Sequence, residues 1–126
     1  MSYCDLHLHS TASDGSDPPA ELVRLAREAG LDAIALTDHD NCDGVADCRA
    51  ACEAAGITFV PGIEVSANAR PIRKSIAAVT GDRDDDLERG TLHILGLFID
   101  ETDPQLVAVR RRMTEARDSR NPAIVE

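Results

Sequence analysis

Apolar residues in this chain fall into short continuous runs and into series spaced three or four positions apart. Continuous runs of this length predict strands, and the spaced series predict amphipathic helices. The strands are predicted at 3–9, 33–37, 57–65 and 92–99, and the helices at 18–29, at 44–55 and from about 103 onward. No period is clear between residues 66 and 90, where an acidic run predicts a solvated loop.

The order of these elements predicts an α/β fold. Strands that alternate with helices are usually parallel, and each helix crosses from one strand to the next. Residues 33–37 are apolar without alternation, as in a strand that is buried on both faces. The first helix also carries end signals, with Ser16 or Asp17 as the N-cap, Pro18 in the first turn and Gly30 as a left-handed stop.

Composition narrows the class of protein. The 126 residues fit one small domain, and because aromatic residues make up only 2%, its core must be built from Ala, Val, Leu and Ile. The net charge of −10 disfavours broad binding to duplex nucleic acid or to an anionic membrane. Neither a signal peptide nor a run of about 20 apolar residues is visible, so we expect a cytoplasmic protein with no membrane segment.

The chain contains four cysteines, Cys4, Cys42, Cys48 and Cys52. In a cytoplasmic protein they are expected to be reduced thiols rather than disulfides. A soft-metal site made by Cys42, Cys48 and Cys52 is the less favoured alternative, because their spacing matches no zinc-binding pattern.

Two histidines end the first predicted strand. Side chains at i and i+2 of a strand point the same way, so His7 and His9 can close on one metal ion while Leu6 and Leu8 pack on the opposite face. A polar loop with the carboxylate of Asp14 follows directly. The alternative for such a pair, taken alone, is a surface strand with two chance histidines.

Other potential ligands also lie near predicted strand ends. His39 and Glu64 are expected at the C-terminal ends of parallel strands, the edge where α/β barrels carry their chemistry, and His93 lies in the fourth strand. Glu64 closes an apolar run, where an unpaired buried carboxylate is costly and a metal ion would remove the cost. Asp38 and Asp40 are predicted to support a ligand histidine or a turn rather than to bind metal.

Five segments together resemble the PHP (polymerase and histidinol phosphatase) family. They are His7-x-His9, Asp14, Thr37-Asp38-His39-Asp40, Pro61-Gly62-Ile63-Glu64-Val65-Ser66 and Leu92-His93-Ile94-Leu95-Gly96. The resemblance covers nearly all of the chain except residues 67–90, which look like an inserted flexible loop. It implies a distorted, TIM-like (β/α)7 barrel with up to three metal ions, which are manganese, zinc or iron.

The resemblance also implies a role for each residue. His7 and His9 would hold the first metal, Glu64 would bridge the first and second, His93 would hold the second, and Asp14 and His39 the third. A metal-activated water would then attack a phosphoester, with His9, Asp14 and Glu64 as the catalytic group and no protein nucleophile. Arg117 or Arg120 is either a solvated residue or a contact to the substrate phosphate, since guanidinium matches phosphate bidentately.

Within the family, the motifs look most like phosphoesterases that act on nucleoside 3′,5′-bisphosphates or short 5′-phosphorylated RNA. The alternatives are a histidinol-phosphate phosphatase and a non-catalytic module of a polymerase-type assembly. The family pattern has later ligands, including a late Asp-x-His, whereas no histidine follows His93 here. A complete barrel also needs roughly 200 residues. Residues 1–126 are therefore interpreted as the N-terminal part of a truncated PHP domain, and activity of this part alone is not predicted.

Overall fold

A computed structural model describes residues 2–68 and 91–120, with side chains as far as residue 115 in the last helix. These residues form an α/β structure that confirms the predicted order of elements. The strands are β1 (Cys4–Leu8), β2 (Ala33–Leu36), β3 (Thr58–Asn68) and β4 (Thr91–Leu97), and the helices are α1 (Pro19–Glu28), α2 (Val45–Ala55) and α3 (Pro104–Arg120). No described helix has the length and apolar character that a bilayer crossing requires.

The first three strands form the parallel part of one sheet, in which the strand order is β1-β2-β3-β4. Helices α1 and α2 connect these strands and pack on one face of the sheet. Ile34 and Leu36 of β2 are buried against Val23 of α1 and Cys48 of α2. Ala35, which points to the opposite face, is also fully buried. The prediction that β2 is covered on both faces is confirmed.

The fourth strand corrects the expectation of an all-parallel sheet. β4 pairs with β3 in the antiparallel direction, with Glu64 opposite Leu95 and Ser66 opposite His93. Antiparallel neighbours need no crossover helix between them. β3 therefore has two partners, β2 along its first residues and β4 along its later ones.

Helix ends follow the sequence signals in part. Gly30 and Gly56 follow α1 and α2 in the left-handed conformation, with φ of 74° and 70°, as expected for C-terminal stops. The prediction of Ser16 or Asp17 as the cap of α1 is wrong, because Pro18 occupies the N-cap position and no side chain caps the helix. Asp103 caps α3 by accepting the backbone N–H groups of residues 105 and 106.

The first two residues of the segment predicted as a loop at 67–90 lie in a strand. Ala67 and Asn68 belong to β3 and pair with Leu92 and Thr91 of β4. Residues 69–90 lie outside the described part of the chain.

Three of the four cysteines are buried thiols, and Cys4 is exposed. Burial raises the pKa of Cys48 far above its usual range, and it also raises the pKa values of Cys42 and Cys52. No potential metal-binding group among the described residues includes a cysteine, which disfavours the cysteine metal site.

Only Cys4 is therefore expected to react rapidly with iodoacetamide at neutral pH, because the thiolate is the nucleophile and a raised pKa keeps the buried groups protonated. Mass spectrometry should find one adduct on the native protein and four after denaturation in urea. Rapid modification of Cys48 in the native protein would contradict this arrangement.

Candidate metal centre

The carboxylate of Glu64 lies at the centre of a cluster of four histidines. Glu64 as a whole is only 5% exposed. One oxygen, Oε2, lies 3.0 Å from Nε2 of His7, 2.9 Å from Nε2 of His9 and 3.6 Å from Nδ1 of His39. The other oxygen, Oε1, lies 3.0 Å from Nδ1 of His93. The structure thus brings four predicted ligands around a fifth.

The carboxylate of Asp14 lies on the outer side of the same histidines. Its Oδ1 is 3.1 Å from Nδ1 of His9, and its Oδ2 is 3.5 Å from Nε2 of His39. The Asp14 side chain is 68% exposed, whereas that of Glu64 is 7% exposed. His9 and His39 therefore stand between a buried carboxylate and an exposed one.

Strand pairing explains how distant residues meet. His7 and His9 share a face of β1 through the two-residue period. His39 follows β2 and forms an isolated parallel bridge with Glu64, in which the Glu64 N–H donates to the Asp38 carbonyl at 3.1 Å. In the antiparallel ladder, the pair of Ser66 and His93 adjoins Glu64 on the same face, which places the His93 ring beside the carboxylate.

The predicted position of Glu64 at a strand end needs correction. Glu64 is not at the end of its strand, since β3 continues to Asn68; it lies just beyond Pro61, where pairing with β2 stops. His93 lies near the N-terminal end of β4, as the predicted strand at 92–99 implies. For Glu64, the sequence analysis ended the third strand near the point where its parallel pairing with β2 ends.

The donor set fits divalent metal ions. The described residues form three sets of three side chains, and within each set the ligand atoms lie within 4.8 Å of one another. The sets are His7–His9–Glu64, His9–Asp14–His39 and His39–Glu64–His93. Nδ1 of His9 and Nδ1 of His39 are buried and make no well-oriented hydrogen bond, although carboxylate oxygens lie 3.1 and 3.6 Å from them. Buried polar atoms rarely lack partners, and a cation would satisfy these nitrogens. Imidazole with carboxylate is a donor set that suits Mn, Zn and Fe.

The histidines also determine the charge state of Glu64. Burial by itself would raise the pKa of its carboxyl group. The hydrogen bond from His7, the electrostatic interactions with His39 and His7 and the hydrogen bond from His93 outweigh burial and hold that pKa below its usual range. Glu64 is therefore an anionic donor, which a shared metal ligand must be.

Asp38 and Asp40 contact the loops that flank the histidines. The Asp38 carboxylate accepts hydrogen bonds from Ser10 and Ser13. Asp40 has a left-handed φ of 57°, and its Oδ1 accepts the N–H of Ser66 at 2.7 Å. Sequence reasoning missed Ser10, which is fully buried; a small hydroxyl residue directly after His-x-His was the available signal.

A cleft of about 280 Å³ opens beside the cluster and is lined by Ser13, Asp14, His39, Ser66 and His93. Its size suits a phosphate group with part of a small molecule attached. The side chains of Arg117 and Arg120, predicted as phosphate contacts, lie outside the described part of the chain.

Comparison with known proteins finds relatives that are named as a phosphatase and as an exoribonuclease. The chain is 36% identical over 117 residues to a 3′,5′-nucleoside bisphosphate phosphatase of Chromobacterium violaceum, covering 93% of this chain and 35% of that protein. It is 34% identical over 116 residues to a 5′-3′ exoribonuclease of Haemophilus influenzae, covering 92% and 36%. A crystal structure described as a putative metal-dependent phosphoesterase of Bifidobacterium adolescentis matches with a TM-score of 0.74 and 27% identity, covering 94% and 35%.

Each of these three matches covers most of this chain but only part of the relative. The chain spans about a third of the length of each of these relatives. The family model described as the PHP domain matches residues 5–113, which include all six clustered residues. On this match the chain belongs to the PHP domain family.

Proposed function

We propose that this chain forms part of a metal-dependent phosphoesterase that acts on small nucleotide phosphoesters. The observation that carries the proposal is the buried Glu64 carboxylate, which four histidines contact on both of its oxygens. Such a carboxylate is costly to bury for structural purposes alone. Two of these histidines have a buried nitrogen that makes no well-oriented hydrogen bond. An anionic carboxylate among such imidazoles is suited to holding more than one cation.

Each residue has a proposed part in this site. His7 and His9 would hold one ion with Glu64, His93 would hold a second with Glu64, and Asp14 with His39 would hold a third. Manganese, zinc and iron are the metals that these donors favour. When bound, such ions supply Lewis acidity for a phosphoryl oxygen and lower the pKa of water. The protein holds the donors on β1, β3 and β4 and on the loops that follow β1 and β2, and it leaves one side of the cluster open to the cleft.

The proposed substrates are nucleoside 3′,5′-bisphosphates and the 5′-phosphorylated ends of short RNA. The two curated relatives are named for activities on such molecules. The cleft of about 280 Å³ is large enough for a phosphate group, and bound cations would make the site locally positive in a chain of net charge −10. Extended duplex binding is not proposed. Nucleotide substrates and four unpaired cysteines also suit a cytoplasmic location.

Removal of metal should abolish the activity. For the whole protein of which this chain forms part, phosphate release from a nucleoside 3′,5′-bisphosphate is expected to fall at least roughly a hundredfold after chelation and dialysis, because the ions supply several kcal/mol of transition-state stabilisation. Addition of Mn²⁺ should restore it. Activity that survives complete metal removal would contradict the proposal.

The same assay separates the alternatives. Histidinol phosphate and a 5′-phosphorylated trinucleotide are tested beside the bisphosphate at equal concentration. Preferential hydrolysis of histidinol phosphate would assign the protein to that phosphatase reaction. A protein that binds metal but hydrolyses none of the three would support the non-catalytic module.

A further inference from the structure

The buried carboxylate of Asp38 joins two loops of the site. It lies in the loop between β2 and α2, directly before His39, and it is only 1% exposed. Its Oδ1 accepts the Ser10 N–H at 2.7 Å and the Ser13 O–H at 2.6 Å, and its Oδ2 accepts the Ser10 O–H at 2.7 Å. Both serines belong to the loop between β1 and α1, which carries Asp14.

That loop is also closed on itself. The Ser10 carbonyl accepts the N–H of Ser13 at 3.0 Å and the N–H of Gly15 at 2.9 Å. Asn41, from the same loop as Asp38, donates its side-chain N–H to the Ala12 carbonyl at 3.0 Å. Asp14 therefore lies between two anchored neighbours, while its own exposed side chain has little packing to fix its direction.

The Ser13 hydroxyl stands between two carboxylates. It lies 2.6 Å from Oδ1 of Asp38 and 3.4 Å from Oδ1 of Asp14. A hydroxyl has one proton to donate, and the shorter contact takes it. The Ser13 hydroxyl thus links the Asp14 loop to Asp38 and leaves the Asp14 oxygen available to a cation. Without either Asp38 or the Ser13 hydroxyl, this link would be lost and Asp14 would be held less firmly beside His9 and His39.

We propose that Asp38, acting through Ser13, is a positioning residue that keeps the Asp14 carboxylate in place for one ion held with His9 and His39. This inference rests on the proposed metal site and names the residue that controls one part of it. The other two groups share no hydrogen bond with Ser13 among the described residues, so their ions should be bound as before.

Metal titration of the protein tests this. Isothermal calorimetry with Mn²⁺ on Ser13→Ala should show one class of site weakened about 10- to 100-fold, the range found when residues that orient metal ligands are removed. Ser13→Thr keeps the hydroxyl and should restore the affinity. Ser16→Ala, in the same loop, is the matched control, since the hydroxyl of exposed Ser16 donates to Asp17 and to no other residue in the described part of the chain. Asp38→Asn should resemble Ser13→Ala, with thermal unfolding recorded to exclude loss of fold.

The outcomes separate the two proposals. If the unmodified protein binds no metal, the proposed function fails. If it binds metal and Ser13→Ala binds with unchanged affinity at every site, the role of Asp38 through Ser13 is refuted while the metal site stands. If Ser13→Ala lowers the metal affinity of all sites equally, the role of Asp38 through Ser13 is also refuted, because the substitution then acts on the fold as a whole.

Discussion

Glu64→Gln is expected to lower phosphate release by roughly a thousandfold or more, since loss of a shared metal ligand removes several kcal/mol of stabilisation and about 1.4 kcal/mol corresponds to a factor of ten. The substitution keeps the size of the side chain but removes its negative charge. Four imidazoles would then face a neutral amide, and two groups of ligands would lose their common donor. The measurement is kcat for the bisphosphate together with bound metal per chain.

A matched control separates charge loss at the site from charge loss in general. Glu53→Gln makes the same change on an exposed position of α2, and it should leave both activity and metal content unchanged. If Glu64→Gln retains full metal content and full activity, Glu64 is not a metal ligand of the site. Since the amide retains the shape of the side chain, circular dichroism should show the same fold in both variants.

Gly15→Ala should disrupt the Asp14 loop. A Cβ at this position would lie 2.2 Å from the His9 carbonyl oxygen and 2.8 Å from the Ser10 nitrogen. These are backbone atoms, which cannot move without shifting the loop or β1. We expect the free energy of unfolding to fall by about 1–3 kcal/mol, the range found for overpacked sites. Urea unfolding measures the loss, and metal titration should show weaker binding.

Gly56→Ala is the comparison for this change. Nothing lies within 4 Å of a Cβ at Gly56, but its φ of 70° is strained for alanine. The expected cost is about 1–2 kcal/mol with no effect on metal binding, because Gly56 ends α2 away from the histidines. If Gly15→Ala and Gly56→Ala bind metal equally well, the contact of Gly15 with the His9 backbone has no influence on the site.

The sequence predicted those features that depend on local pattern. The two-residue period placed His7 and His9 on one face of β1, the continuous apolar run identified β2 as buried, and the glycines after α1 and α2 marked helix ends. Each of these follows from neighbours in the chain. The same holds for Glu64, whose position in an apolar run signalled a buried carboxylate with an unusual partner.

Features that depend on distant partners could not be obtained in this way. The direction of β4 depends on how it pairs with β3, and apolar runs carry no information on strand direction. The contacts of Asp38 join residues 25 and 28 positions apart. An aspartate beside a histidine in the sequence suggested a contact to that ring, whereas the structure directs the carboxylate to two serines.

Because β3 changes its pairing partner, the residues of the cluster are divided between two strand pairings, which we expect to open separately. His7, His9, Asp14 and His39 belong to the parallel β1–β2–β3 unit, while His93 reaches the site only through the β3–β4 ladder. Local opening of a strand pair commonly requires less free energy than global unfolding. Separation of β4 would remove His93 and leave the other histidines in place. An ion shared by Glu64 and His93 would oppose that opening by mass action, so metal occupancy and the cooperativity of folding are linked.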